Sequence, residues 1–142
     1  KTHLYGDGSY RRFRHSITNS SNIKIEEIPP SVLKIAGIRI PFCGGFYFRC
    51  LPYNFVKYGI NRINQIDNNP AVFYLHPYEI DVNKPSASKG LINNFILDFN
   101  IKNTEKKFVK LLRDFQFTSI KSYFDFNIEL PYKDKKRIIN SV

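Results

Sequence analysis

Five consecutive apolar residues, Ala71-Val72-Phe73-Tyr74-Leu75, followed at once by His76 and Pro77, constrain this chain more than any other stretch. Pro70 and Pro77 bound the run, so it is expected to be a short strand of continuous apolar character, covered on both faces. Strands of that kind belong to parallel sheets inside α/β folds. The proline ends the strand and leaves His76 at its carboxyl end, with Glu79 and Asp81 within five residues of it. In α/β barrels, polar side chains at the carboxyl ends of strands are where chemistry is found.

The rest of the chain supplies an α/β setting. Residues 1–22 are polar and contain glycine, serine and asparagine, and read as a loop-like lead-in. From Asn22, Ile23 and Ile25 alternate with Lys24 and Glu26, which predicts a half-buried strand ending at Pro29-Pro30. A second extended piece over Val32 to Ile40 is broken at Ala36-Gly37, as a hairpin or bulge would require. After Pro52 the period changes: Val56, Ile60, Ile63 and Ile66 follow helical spacing, so Tyr53 to about Gln65 is expected to be an amphipathic helix. Leu91 to Ile101 is apolar without a clear period. Asn103 or Thr104 is expected to cap a helix whose Phe108, Leu111, Leu112 and Phe115 form one core-facing stripe. A shorter helix containing Ile120, Tyr123 and Phe124 follows Thr118, and residues 131–142 read as a basic tail. The whole is one domain, or part of one.

The net charge of +10 raises nucleic-acid binding, which clustered cations favour through counterion release. The excess is spread along the chain, and only Arg11-Arg12-Phe13-Arg14 and Lys133-Asp134-Lys135-Lys136-Arg137 form clusters, both near chain ends. A solvated basic surface is therefore expected, with no nucleic-acid partner. No stretch approaches the roughly 18 apolar residues of a membrane span. Cys43 and Cys50 lie at neither a zinc nor a redox spacing and are expected to be free, buried thiols. No methionine occurs at position 1 or elsewhere, so the chain is expected to begin inside a longer protein.

Four segments taken in order carry a resemblance. They are Glu27-Ile28-Pro29; Ile40-Pro41-Phe42-Cys43-Gly44-Gly45-Phe46-Tyr47-Phe48-Arg49-Cys50-Leu51-Pro52-Tyr53; Pro70 through His76 to Asp81; and Thr104-Glu105 with Leu111-Leu112-Arg113-Asp114-Phe115. Over roughly residues 25 to 118 the sequence resembles the C-terminal portion of polysaccharide deacetylases of the NodB-homology type. Within them it is most similar to the exopolysaccharide deacetylase subgroup, in which a domain of unknown function follows the main catalytic motifs. The resemblance implies the C-terminal part of an irregular (β/α) barrel, with a small β-ribbon and C-terminal helices. It also implies a metal-dependent hydrolase that removes acetyl groups from N-acetylated sugars.

In that family one Asp and two His hold a divalent metal, usually zinc, and a second Asp is the general base. None of those motifs occurs here: His3 and His15 do not form a His-x-x-x-His pair, and Asp7 is not in an Asp-Asp pair. The metal is thus expected in the intact enzyme and not on this chain alone, and the partners implied are an N-acetylated polysaccharide or oligosaccharide and the N-terminal part of the same protein. The expected compartment is the cytoplasm or membrane periphery of a bacterium or archaeon.

His76 matches the family's last catalytic motif and is implied to be the general acid. An amine leaves a tetrahedral intermediate poorly unless it is protonated, and a histidine near neutrality provides that proton at a gain of about 10² to 10⁴ in rate. If the segments are extended, period-two geometry puts Tyr74 beside His76, and Tyr47 beside Arg49 on a second strand face. Tyr47, Arg49, Tyr74 and Tyr78 are the candidate substrate contacts. Gly44 and Gly45 permit close backbone approach. Arg49 is suited to orienting a carboxylate, to bonding the glycan, or to an internal salt bridge. Glu79 and Asp81 are candidates for holding the His76 tautomer or for pairing with Arg49. The alternative function is a non-catalytic glycan-binding or scaffolding module in which Tyr47, Tyr74 and Tyr78 stack on sugars.

Overall fold

Ala36 (φ 47°) and Gly37 (φ 83°) both take left-handed backbone conformations, which a two-residue hairpin turn needs for its twist to match that of its strands. In the computed structural model of this protein, which describes residues 11–83 and 91–123, they join β3 (Val32–Ile35) to β4 (Ile38–Pro41). The strands pair antiparallel, with Ile35 opposite Ile38 and Val32 opposite Pro41. The expected break at Ala36-Gly37 is therefore a hairpin.

A second antiparallel ribbon precedes it, β1 (His15–Thr18) on β2 (Lys24–Glu27), with Ile17 opposite Ile25. Two expectations change here. Part of the lead-in is strand, because the turn around Asn19, whose side chain accepts the Ser21 and Ile23 N–H groups, folds it back onto β2. Ile23 and Ile25 are 59% and 63% exposed and not half-buried, since a two-stranded ribbon has no second layer of its own to cover a face. Residues 1–10 and the basic tail lie outside the described residues. The Arg12 and Arg14 cations are engaged within the chain: Arg12 bonds the Val32 carbonyl and pairs with Asp67 at 2.9 Å, and Arg14 pairs with Glu26 at 2.9 Å.

Gly44 and Gly45 turn the chain into α1 (Gly45–Cys50), so the extended geometry on which the Tyr47–Arg49 alternation depended does not hold. The Phe48 N–H reaches the Gly44 carbonyl at 3.2 Å and the Leu51 N–H reaches Tyr47 at 2.9 Å. The Lys107 ammonium bonds the Phe48 and Leu51 carbonyls, so the open end of this short helix is satisfied by a cation. Half-burial pulls the Lys107 pKa below its ordinary value. Tyr47 and Arg49 consequently do not alternate as strand neighbours. Cys43 is buried, which pushes its thiol pKa up, whereas Cys50 at the end of α1 is exposed, contrary to expectation.

After Pro52, α2 runs over Tyr53–Gln65 as its spacing predicts, burying Val56, Ile60 and Ile63. With Leu33, Phe42 and Phe48 these residues make the core. Gly59 of α2 lets this core close: a Cβ there would lie 2.6 Å from the Phe42 ring. Gly59→Ala is expected to destabilise by about 1–3 kcal/mol through overpacking, only partly offset by about 1 kcal/mol of helix propensity. A lower urea midpoint at unchanged slope is the readout.

The Ala71 to Leu75 run differs most from its prediction. It is extended and half-buried, and its one strand-like pairing is a parallel bridge between Tyr74 and Gly44. The segment's donors are taken up singly instead of by a ladder. Ala71 N–H bonds Asn64 Oδ1 at 2.9 Å, Val72 N–H bonds Ser31 Oγ at 2.7 Å, and Tyr74 N–H bonds the Cys43 carbonyl at 3.3 Å.

Lys1–Phe108 and Val109–Val142 form two compact units. The first contains α3 (Leu91–Asp98), which gives the apolar stretch after residue 90 its geometry, and the start of α4 (Ile101–Asp114). Asn100, at φ 56°, makes the turn between them, so α4 begins before the expected cap and Thr104 bonds back to the Asn100 carbonyl at 3.0 Å. In the second unit Leu111 is buried but Leu112 is 48% exposed, so the expected stripe is not wholly core. A helical turn occupies residues 120–123, and Phe124 is outside the described residues. The architecture is mixed α/β with two antiparallel ribbons and several helices, and among the described residues the strands close no barrel. No described helix is long and apolar enough to cross a membrane.

Candidate functional site

Although the Ala71 to Leu75 run is no ladder strand, its extended backbone keeps the two-residue alternation. Phe73 turns to the core, edge-on to Phe48 at 4.9 Å and stacked on Phe108 at 6.3 Å. Tyr74 turns the other way, over the glycine pair. Gly44 has no room for a side chain, because a Cβ would stand 2.2 Å from the Tyr74 carbonyl oxygen.

Pro77 then starts a single 3₁₀ turn, Pro77–Glu79, that sorts the polar side chains. Glu79 N–H bonds the His76 carbonyl at 2.9 Å, and its carboxylate folds back to accept the His76 N–H at 3.0 Å. Both of those bonds tie down the His76 backbone. Glu79 is thereby buried, at 2% exposure, while His76 and Tyr78 face outward. The imidazole stacks on the Tyr78 ring at 5.1 Å and 10°, and meets Tyr74 edge-on at 5.7 Å and 74°.

Beneath them lies a buried charge pair. Arg49, also 2% exposed, sits 3.4 Å from the Glu79 carboxylate. Its guanidinium donates to the carbonyls of Ile96 (2.8 Å), Leu97 (2.9 Å) and Phe99 (3.1 Å), at the end of α3 where orphan carbonyls gather partial negative charge. Asn100 returns a bond to the Arg49 carbonyl at 2.9 Å. The fork of Arg49 is thus committed to α3 and Glu79, the internal salt bridge among the roles expected of it. Burial, then the Glu79 carboxylate and Tyr78, push the Tyr74 phenol above its ordinary pKa, so it is a neutral hydroxyl at neutral pH.

These groups surround an open pocket of about 150 Å³. Seven of the nine candidate residues line it: Gly45, Tyr47, Arg49, Tyr74, His76, Tyr78 and Glu79. Gly44 lies behind Tyr74, supporting the wall. Asp81 does not join them; it is exposed and accepts the Asn83 N–H at 2.8 Å, so it neither orients His76 nor binds Arg49. Sequence reasoning did not single out Phe46, Ile96 and Leu97, which complete the lining. Phe46 sits inside the glycine-pair segment, and the two aliphatic residues belong to the stretch whose period was unclear.

The chemistry available is that of an exposed imidazole among aromatic walls, with its backbone pinned by a buried carboxylate. Among the described residues, no group of three or more His, Cys, Asp and Glu side chains converges to hold a metal ion. No curated protein and no solved structure matches the chain. One family model does match, over residues 1–125 of the 142, and by that match the chain belongs to a domain family of unknown function, DUF3473.

Proposed function

We propose that this domain completes the active site of a polysaccharide N-deacetylase by contributing His76 as the proton donor to the leaving amine. The observation that carries the proposal is the outward-facing imidazole, framed by Tyr74 and Tyr78 at the mouth of a pocket and fixed at its backbone by Glu79. Domains of this family follow polysaccharide deacetylase domains. In this proposal the (β/α) barrel and its divalent metal belong to such a preceding domain, and the Ala71 to Leu75 segment extends that barrel's rim. The parallel sense of the Gly44–Tyr74 bridge suits that role.

The pocket would take the acetamido group, with Tyr74 and Tyr78 shaping its walls and Tyr47 its margin. His76 would deliver a proton to the amide nitrogen as the carbon–nitrogen bond breaks, and would regain it from water. Arg49 and Glu79 act by holding this frame, not by touching substrate.

His76→Ala in the full-length protein is expected to lower deacetylation of an N-acetylated polysaccharide by about 10²-fold, with metal content and thermal stability unchanged. Turnover near that of the unsubstituted protein would remove His76 from the mechanism. The exposed, stacked His76–Tyr78 pair also suits sugar binding without catalysis. Oligosaccharide binding that depends on Tyr78, together with turnover indifferent to His76, would favour that second function.

A further inference from the structure

Aromatic surface continues beyond the pocket. Phe46, on its wall, meets Phe99 edge-on at 6.2 Å, and Phe99 lies 5.1 Å from Phe95 at an interplanar angle of 50°. Phe95 is 58% exposed and Phe99 37%. The intervening residues Ile96 and Leu97 line the pocket itself, so α3 presents one edge to the pocket, with the rings of Phe95 and of Phe99, just past its end, beside it. The three carbonyl bonds from Arg49 fix the end of α3 to α1, which holds ridge and pocket in one frame.

We propose that the Phe95–Phe99 ridge is a sugar-stacking subsite, which binds a residue of the polymer neighbouring the one in the pocket. The domain would then select an extended polysaccharide over a monosaccharide. This inference rests on the glycan-directed function proposed above. Carbon–hydrogen bonds on a pyranose face carry partial positive charge and pack against the negative face of an aromatic ring. Among the described residues the two rings form a strip one sugar wide, far short of the roughly 800 Å² that each partner buries in a stable protein interface. The strip also opens directly into a pocket that holds polar groups, as a track for a continuous polymer requires and a protein-docking patch does not.

The test uses the full-length protein, with N-acetylglucosamine and its β-1,4-linked hexamer as probes in titration calorimetry. The hexamer is expected to bind about tenfold more tightly than the monomer, and Phe95→Ala to remove about five- to tenfold of hexamer affinity while sparing the monomer. Phe95→Tyr should retain the preference and Phe95→Leu should lose it. His76→Ala should leave the length preference intact, so the ridge and the proton donor can fail separately. Equal affinity for the two probes, no binding of either, an unaltered preference in Phe95→Ala, or full retention in Phe95→Leu would each overturn the subsite. The last outcome would mark the ridge as an apolar protein contact. Unchanged circular dichroism of the Phe95 variants confirms that folding is not the cause.

Discussion

Glu79→Ala is expected to cost about 3–5 kcal/mol of folding stability, because it strands a buried guanidinium. Arg49 and Glu79 are each 2% exposed, so without the carboxylate the guanidinium keeps only neutral carbonyl acceptors and whatever water enters from the pocket that both residues line. The carbonyls of Ile96, Leu97 and Phe99 still accept from Arg49, so the fold should survive, but they carry only partial charges. The same substitution frees the His76 N–H from its acceptor and leaves the 3₁₀ turn held by its backbone bonds alone. Glu79→Gln separates the two contributions: it can keep an acceptor near the His76 backbone while removing the charge facing Arg49. Combining Glu79→Ala with Arg49→Met should cost less than the sum of the single substitutions, since the second no longer leaves an unpaired ion. Urea unfolding of the four proteins measures the coupling. Single costs under about 1 kcal/mol that simply add would show the pair to be solvated and unimportant.

How far the sequence disclosed this arrangement depended on how local the cause was. The α2 helix was legible because Val56, Ile60 and Ile63 repeat at helical spacing behind a proline, and the β3–β4 hairpin because Ala36-Gly37 interrupts two apolar runs. The Ala71 to Leu75 run misled in its pairing and not in its alternation. Its donors end on Asn64, Ser31 and Cys43, distant acceptors that no periodicity announces. The Tyr47–Arg49 alternation held only for an extended segment, whereas α1 is helical, with its final carbonyls bonded by Lys107 from far along the chain. Seven of the residues singled out around His76 and the glycine pair line the pocket. The depth of Glu79 was not legible, because one 3₁₀ turn decides which of two nearby carboxylates goes inward: Glu79 is buried and Asp81 is exposed.

Gly44→Ala is expected to be about as damaging, on the order of 4 kcal/mol, from the backbone instead of from charge. Gly44 holds φ 135°, a conformation open to glycine and strained for any residue with a Cβ, which accounts for about 1–3 kcal/mol. The new methyl would also meet the Tyr74 carbonyl oxygen at 2.2 Å and Tyr74 Cδ1 at 2.8 Å. A side chain could rotate away, but a carbonyl cannot. Tyr74 is held by its bond to the Cys43 carbonyl, so relief requires the whole segment to move out, adding an overpacking cost of about 1–3 kcal/mol. Gly45 provides the control. At φ 53° it suffers left-handed strain of about 1–2 kcal/mol, but its Cβ would face the Tyr74 hydroxyl at 3.1 Å, the far end of a side chain that can yield. Gly45→Ala should therefore be the milder variant in denaturant unfolding. Gly44→Ala should in addition carry Tyr74 away from His76, seen as loss of the 5.7 Å ring contact in the histidine and tyrosine ring resonances. Equal stability of the two variants would mean that the Tyr74 segment moves freely, and that the close approach of Gly44 does not hold the wall of the pocket.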